Sequence, residues 1–270
     1  MQESKKTEIR EIRPEDTEEL VRLWHEVFAD PEELAACFLR LLPGMGGGVC
    51  AIHNGQLAGA AYVLTGFTVG ELRAGYLYAI AVHPAYRGLG LGKALTRAAA
   101  ALGKNLGADF LCTLPASLPL YGWYEGLIGL RCTLYRKVER FASKAGLPVA
   151  ALDAAEYNAR REALLRGTRH MTLSDAAAEF ERFSCCLFGG ALYAVGDGIA
   201  AAYQNDEGAY IRELLCPDPA QRRAYAEAVG AAMGCESVTL LSPGTKEDRP
   251  FLMAEPGALP EARVWNLAFD

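Results

Sequence analysis

The sequence predicts an α/β fold built from two tandem copies of one unit of strands and helices. Two observations predict this class. Segments with strand-like alternation and segments with helical periodicity follow one another along the first half of the chain. The second half then repeats segments of the first half in the same order, which is a fold-level signal.

The first half has the predicted element order strand, helix, helix, three strands, glycine-rich turn, helix, strand, short helix, strand. Leu20, Leu23 and Trp24 recur at helical spacing in the first helix. Asn54-Gly55 lies between two apolar runs and predicts a tight hairpin turn. The predicted elements are 7–14, 15–28, 31–42, 49–54, 56–64, 75–82, 92–104, 109–114, a short helix around 123–125, and 130–138.

Five segments of the second half correspond to segments of the first. GAYIRELLCP aligns with GYLYAIAVHP, so that Gly208 matches Gly75 and Pro217 matches Pro84. Asp197-Gly198 takes the place of the first hairpin turn, and residues 261–270 supply a closing strand. We therefore predict a first domain at 1–139, a Gly- and Pro-containing linker at 140–150, and a second domain at 151–270.

Composition excludes several classes of protein. Of 270 residues, 51% are hydrophobic and 22% are charged, which is typical of a globular chain and not of a disordered one. The net charge of −6 disfavours a general nucleic-acid or anionic-membrane surface. The eight cysteines form no C-x-x-C pair, so we expect reduced, mostly buried thiols and no metal site. We expect a cytoplasmic protein, since neither a signal peptide nor a membrane span is visible.

The most informative stretch is the turn Arg87-Gly88-Leu89-Gly90-Leu91-Gly92-Lys93. Three alternating glycines between a strand and a helix allow several backbone N–H groups to face one point at the positive end of the helix. This arrangement predicts a phosphate-bearing ligand. The spacing fits neither the G-x-G-x-x-G dinucleotide fingerprint nor a P-loop, where Ala94 would replace the required hydroxyl. An ordinary glycine-rich connection is the remaining structural alternative.

The motif Val82-x-Pro84-x-x-Arg87-Gly88-x-Gly90-x-Gly92 resembles the acyl-CoA-binding motif of the GCN5-related N-acetyltransferases. The resemblance covers residues from about 7 to 139. It implies two acyl-CoA N-acyltransferase-like units, each a mixed, mostly antiparallel twisted sheet flanked by helices, with acetyl-CoA as the cofactor. In this family the strand before the turn separates from its neighbour.

The resemblance also implies cofactor-binding residues. Backbone groups of Ile80, Ala81 and Val82 would pair with the pantetheine arm and the thioester carbonyl. Amides of the turn would hold the pyrophosphate; these belong to Arg87, Gly88, Leu89, Gly90, Leu91, Gly92 and Lys93.

Tyr124 matches the family tyrosine that donates a proton to the departing thiolate. The segment Leu120–Leu130 has one extra residue before Gly129, and Leu130 replaces the usual Phe. The alternative is that Tyr124 only packs the short helix.

No general base is assigned. The strand GYLYAIAV contains no acid, Glu71 lies in the preceding loop, and His83 precedes a proline at a strand end. Tyr76 and Tyr78 are expected on the same face as Ile80, where they would line an acceptor pocket or belong to the core.

The second half lacks this chemistry. Asp218–Arg223 replaces the glycine-rich turn, and Pro250–Met253 replaces the aromatic segment. We predict that this half does not bind CoA, and that it covers the acceptor cleft or packs against the first domain. The leading hypothesis is an N-acetyltransferase acting on a small amine or peptide, and a homodimer is left open. A non-catalytic acyl-CoA-binding or regulatory module is the alternative.

Overall fold

The structure, a computed structural model, describes residues 7–259 and divides them into two units. Unit 1 contains the described residues up to Arg131 together with Met253–Ala258. Unit 2 contains Cys132–Leu252 and Leu259. Each unit is a mixed sheet with mostly antiparallel pairs and flanking helices, which confirms the predicted fold class. The predicted closing strand at 261–270 lies outside the described residues.

Unit 1 follows the predicted element order. Its strands are arranged β1-β2-β3-β4-β5, with one parallel pair, β4 and β5. The elements are β1 (Thr7–Glu11), α1 (Thr17–Phe28), α2 (Glu32–Leu41), β2 (Gly46–His53), β3 (Gln56–Val69), β4 (Leu72–Val82), α3 (Leu91–Asn105), β5 (Phe110–Thr113) and α4 (Leu118–Ile128).

Helix α3 provides the centre of the unit 1 core. Leu95, Ala99 and Leu102 form an apolar stripe that packs in one cluster with β2 and β3. Gly103 allows the helix to approach the sheet closely, because a Cβ there would lie 2.8 Å from a methyl carbon of Val63. The helix that begins at the glycine-rich turn is therefore fixed firmly on the sheet.

Unit 2 has a similar order of elements. Its strands are arranged β13-β6-β12-β11-β10-β9-β7, and the one parallel pair is β11 with β12. The elements are β6 (Arg131–Ala142), β7 (Val149–Leu152), α5 (Ala154–Leu164), β8 (Met171–Leu173), α6 (Asp175–Leu187), β9 (Ala191–Val195), β10 (Gly198–Asn205), β11 (Gly208–Leu215), α7 (Arg222–Ala232), β12 (Ser237–Pro243) and β13 (Arg249–Ala254).

The two units end at other residues than the predicted domains do. Residues 132–139 were expected in the first domain, but they belong to unit 2, because β6 pairs with β12 from Arg136 to Ala142. The end of β13 belongs to unit 1, where Met253 pairs with Thr113 of β5. The expected linker at 140–150 contains the end of β6 and the start of β7, an edge strand paired with β9.

The second hairpin turn lies one residue earlier than predicted. Gly196 and Asp197 form the turn, and Gly198 is the first residue of β10. The reason is conformational: Gly196 has φ of 56°, as a hairpin turn with glycine in the first central position requires. Pro250–Met253, which was compared with the aromatic helical segment, lies in strand β13.

Several features of the described residues bear on the protein class. From Thr7 to Leu259, no helix is both long and apolar enough to cross a membrane. Within the same residues, no group of three or more His, Cys, Asp or Glu side chains could hold a metal ion. All eight cysteines are free thiols, and five of them are buried.

Replacing Leu95 tests the unit 1 core. Its side chain is fully buried in α3, so Leu95→Ala should lower the free energy of unfolding by about 2–5 kcal/mol in urea denaturation. Leu118→Ala is the matched control, because Leu118 is 69% exposed and should change this value by less than about 0.5 kcal/mol. Equal effects of the two variants would contradict this description of the core.

Candidate active site

Strands β4 and β5 separate and leave an open fork in unit 1. Their parallel pairing runs from Ala74 opposite Phe110 to Leu77 opposite Thr113, where β5 ends. Strand β4 continues to Val82. Backbone groups on this edge of β4 beyond Leu77 therefore have no neighbouring β5 residue to pair with. The resemblance implied this separation, and the pairing register places it directly before Ile80, Ala81 and Val82.

A bulge in β4 lies beside the fork. Ala81 pairs with Ala60 and Tyr78 with Tyr62, so Ala79 and Ile80 both lie opposite Ala61. Ala79 has φ of 46°, a left-handed conformation that costs an alanine energy. Bulges of this kind bend a strand and redirect its side chains, and strained residues cluster at functional sites.

The bulge changes which side chains share a face of β4. Tyr76 and Tyr78 were expected on the face of Ile80, and this expectation is wrong. Ile80 packs with the cluster that contains Leu77, whereas Tyr76 and Tyr78 stack near each other on the opposite face, 5.7 Å between ring centroids. The extra residue at Ala79 shifts the alternation by one position. Tyr76 is fully buried and Tyr78 is partly exposed.

The glycine-rich turn follows the open end of β4. Gly88 and Gly90 have φ of 82° and 78°, and a Cβ at either position would meet no atom within 4 Å. Glycine is required there by backbone conformation, and the space above the turn is open. Arg87 donates a long hydrogen bond from Nε to the carbonyl of Val82, at 3.4 Å.

The amides at the start of α3 have the geometry of an anion-binding helix N-terminus. Gly90 is the N-cap of α3, and Ala94 N donates to Gly90 O at 3.2 Å. The amides of Leu91, Gly92 and Lys93 precede this first helical bond, so they have no partner inside the helix. Together with the helix dipole they favour a phosphate group at this point. The Leu91 side chain is buried and holds the end of the helix on the core.

Tyr124 lies at the apex of the fork. Its hydroxyl lies near the side chain of Thr113, which influences its pKa, and Thr113 Oγ1 donates to the carbonyl of Leu77 at 2.9 Å. Leu77 and Thr113 are the last pair before the strands separate. Burial raises the pKa of Tyr124 to about 12, and the contact with Thr113 opposes this rise. The phenol is therefore fully protonated at neutral pH.

The departure from the family pattern around Gly129 has a structural reason. Gly129 ends α4 in a left-handed conformation, φ of 75°, and its N–H bonds to the carbonyl of Glu125. Leu130 follows and is fully buried in the same cluster as Tyr124. The extra residue closes the helix, and a leucine fills the core position.

Four of the predicted site residues lie at one hydrophobic cluster. Tyr124 and Leu91 are buried members of it, and Ile80 and Val82 pack against it. Arg87 to Lys93 form the turn that continues from Val82.

Sequence reasoning missed two features, the bulge at Ala79 and the hydroxyl of Thr113 that donates to the Leu77 carbonyl. A threonine at the end of the strand FLCT was the one available signal for Thr113, because its hydroxyl needs a partner when buried.

Glu71 and His83, the ionisable residues considered as a general base, lie at the two ends of β4. Glu71 lies at the opposite end of β4 from the fork, roughly 20 Å of strand before Leu77. His83 accepts a hydrogen bond from Ala85 N at Nδ1, and its Nε2 lies 3.2 Å from the Glu26 carboxylate. Neither residue lies in the open part of the fork.

The turn before α7 in unit 2, which corresponds to the glycine-rich turn of unit 1, has a different structure. Helix α7 follows the short turn Pro219–Gln221 directly, and the Asp218 carboxylate accepts a hydrogen bond from Ala220 N at 2.9 Å. A carboxylate that occupies a backbone donor disfavours a phosphate group. The absence of CoA binding in this half stays a prediction.

The fold is an acyltransferase-like α/β fold. The acetyltransferase (GNAT) family model matches residues 8–129, which lie in unit 1. Residues 8–129 are therefore a domain of the GNAT acetyltransferase family. No curated protein matches the sequence significantly.

Solved structures resemble this chain over residues of both units. A GCN5-related N-acetyltransferase from Kribbella flavida has a TM-score of 0.67 at 16% identity, covering 93% of this chain and 71% of that chain. Eis1 from Mycobacterium abscessus has a TM-score of 0.61 at 16% identity, with 93% and 73% covered. A GCN5-related N-acetyltransferase from Sphaerobacter thermophilus has 0.53 at 17% identity, with 98% of both chains covered. At these low identities the likeness shows a shared fold alone, and the matched regions extend over unit 2.

The raised pKa of Tyr124 predicts a pH-dependent stability. An unfolded tyrosine ionises near pH 10, whereas folded Tyr124 ionises near pH 12, so its contribution is complete below pH 10 and is lost as the pH rises towards 12. At pH 11 the loss is about 1.4 kcal/mol. The decrease in unfolding free energy between pH 8 and pH 11 should therefore be smaller by this amount in Tyr124→Phe. An unchanged decrease would contradict the buried environment of the phenol.

Proposed function

We propose that unit 1 is an acetyl-CoA-dependent N-acetyltransferase that acetylates a primary amine of a small-molecule or peptide acceptor. The donor and the acceptor react directly in a ternary complex. One observation carries the proposal: the open edge of β4, the glycine-rich turn and the Tyr124 hydroxyl lie around a single fork.

The donor binds along β4 and at the turn. The pyrophosphate accepts hydrogen bonds from the amides of Arg87 to Lys93, at the positive end of α3. The pantetheine arm lies in the fork and pairs with the backbone of Ile80, Ala81 and Val82, in the manner of a short added strand. Gly88 and Gly90 carry no side chain into the space that the phosphates need.

The reaction is an acyl transfer with a tetrahedral intermediate. The acceptor nitrogen attacks the thioester carbonyl carbon, and the carbonyl oxygen becomes an oxyanion. A backbone N–H of the β4 segment next to the bulge donates to that oxygen, and one such donor contributes about 3 kcal/mol to lowering the barrier. The C–S bond then breaks, and the nitrogen releases its extra proton to solvent. Much of the catalysis comes from positioning the two substrates.

Tyr124 protonates the departing thiolate of CoA. Its hydroxyl lies at the apex of the fork, where the thioester of a donor bound along Ile80–Val82 ends. Because the pKa of Tyr124 is about 12, the hydroxyl keeps its proton until the thiolate forms. The proton passes from Tyr124 to sulfur, and solvent returns a proton to the phenolate.

The acceptor reaches the fork beside an aromatic cluster of unit 1. Tyr78 on β4 contacts Trp24 of α1 at 5.8 Å and Phe38 of α2 at 5.3 Å between ring centroids. Phe28 extends this cluster towards solvent and is 38% exposed. Aromatic rings favour a cationic substrate before it is deprotonated. The net charge of −6 also favours a cationic acceptor.

A non-catalytic acyl-CoA-binding module is the second candidate. The absence of any acidic residue on β4, from Leu72 to Val82, favours it, because no carboxylate is available there to deprotonate the acceptor. Binding of acetyl-CoA without release of free thiol in the presence of amines would support this candidate against the enzyme.

Replacing Gly90 tests donor binding. Gly90→Ala should strain the left-handed turn, move its amides and weaken acetyl-CoA binding by about tenfold or more in calorimetric titration. Gly55→Ala is the matched control: Gly55 has φ of 80° and open space around it, but lies in the β2–β3 hairpin. Both variants should lose similar stability. Equal acetyl-CoA affinities of the two would refute the role of the turn.

Replacing Tyr124 tests the chemical step. Tyr124→Phe should reduce thiol release with a panel of primary amines by about 10²–10⁴-fold, while acetyl-CoA binding changes little. Tyr121→Phe, on the same helix, is the control and should retain turnover. A fully active Tyr124→Phe enzyme would show that this phenol is not the acid.

A further inference from the structure

Helix α3 has two exposed cations, Lys93 and Arg97, directly after the glycine-rich turn. They lie three and seven residues after Gly90, the N-cap of the helix. At this spacing all three residues share one side of the helix, and the apolar stripe of α3 packs on the opposite side. The two cations therefore form a basic face that leads from the turn along the surface of α3.

These two cations lack the ion pairs that other basic residues of unit 1 have. Among the described residues, neither Lys93 nor Arg97 has a carboxylate partner, and α3 itself contains no Asp or Glu. By contrast, Lys104 near the other end of the same helix lies 3.0 Å from the Glu255 carboxylate. The charge on the basic face is therefore not neutralised by the described part of the chain.

Folding alone does not explain the position of these cations. The positive end of a helix dipole repels cations, and like charges four residues apart on a helix repel each other. Arg87 of the turn adds a third exposed cation, which donates a long hydrogen bond of 3.4 Å to the carbonyl of Val82. In a chain with a net charge of −6, three exposed cations at the start of α3 indicate a ligand with several negative charges.

Acetyl-CoA has more negative charge than the amides of the turn account for. Its diphosphate accepts hydrogen bonds from those amides, but its ribose also has a separate 3′-phosphate. Like other phosphate monoesters, this group has a charge of about −1.5 to −2 at pH 7. Arginine and lysine side chains are the usual partners of such a group. The 3′-phosphate therefore needs cations close to the diphosphate site, and the basic face supplies them.

We propose that the side chains of Lys93 and Arg97 bind the 3′-phosphate of acetyl-CoA, and that they make unit 1 selective for CoA thioesters over the 3′-dephospho forms. This inference rests on the proposed function, which puts the diphosphate at the turn. The two residues are about 6 Å apart along the helix axis, so both side chains reach one phosphate group. The planar guanidinium of Arg97 binds two phosphate oxygens, and Lys93 adds a compact charge nearer the turn.

Calorimetric titration of the full-length protein with two matched ligands tests the proposal. Acetyl-CoA should bind about tenfold or more tightly than 3′-dephospho-acetyl-CoA, because the second ligand lacks the charge-assisted hydrogen bonds to the basic face. Arg97→Gln should weaken binding of acetyl-CoA and leave the affinity for the dephospho ligand unchanged. The preference between the two ligands should therefore decrease in this variant, and it should disappear in the double variant Lys93→Gln/Arg97→Gln.

Lys104→Gln is the matched control. It removes one positive charge from the same helix, about 10 Å beyond Arg97 along the axis, and should keep the preference of the wild type. Arg97→Lys should keep part of the preference, because it retains the charge and loses the planar guanidinium. In turnover with an amine, Arg97→Gln should raise KM for acetyl-CoA without lowering kcat, because the 3′-phosphate is at the opposite end of the ligand from the thioester.

The outcomes separate this inference from the proposed function. Equal affinities of the wild type for the two ligands would overturn the inference and leave acetyl-CoA binding by unit 1 intact. A full preference for acetyl-CoA in the double variant would also overturn it, since the partner of the 3′-phosphate would then lie elsewhere. Binding of neither ligand by the wild type would overturn the proposed function and this inference with it. Gly90→Ala should weaken both ligands by the same factor, because both have the diphosphate.

Discussion

The separation of β4 from β5 is the feature on which the site depends. A parallel pair of strands ordinarily satisfies its backbone groups along its whole length. Here the pairing stops at Leu77 and Thr113, and the hydroxyl of Thr113 closes the apex by bonding to Leu77. The bulge at Ala79 lies two residues beyond this last pair, and bulges of this kind bend a strand. The open backbone edge of β4 follows from this separation, and the glycine-rich turn lies just beyond the end of the strand.

Both units have a fork between two parallel strands, but the residues around the two forks differ. Both have a bulge in the strand before the fork, at Ala79 in one and at Arg212 in the other. In unit 1 the fork has an open backbone edge followed by glycines. In unit 2 the bulge carries a buried charge, and Asp218 occupies the backbone donor of the turn. Unit 1 therefore has an open strand edge beside a glycine-rich turn, whereas unit 2 has a cavity lined by apolar and charged side chains.

Local signals predicted most of unit 1. Periodicity located its helices, Asn54-Gly55 located its hairpin, and the alternating glycines located the turn before α3. The bulge was not predictable, because alanine does not favour a left-handed conformation; pairing with β3 imposes it on Ala79. The pairings of β6 and β13 were missed for a related reason: they join residues that are far apart in sequence. The contact of Tyr124 with Thr113 likewise depends on how α4 packs against the end of β5.

Hydrogen exchange of single backbone amides, measured with and without CoA, tests the central claim most directly. If the turn grips the diphosphate and the edge of β4 pairs with the pantetheine arm, saturating CoA should slow exchange at Leu91–Lys93 and along Ile80–Val82. The β2–β3 hairpin at Asn54-Gly55 should exchange as before. Unchanged exchange at both segments, in protein that is saturated with CoA, would contradict the account.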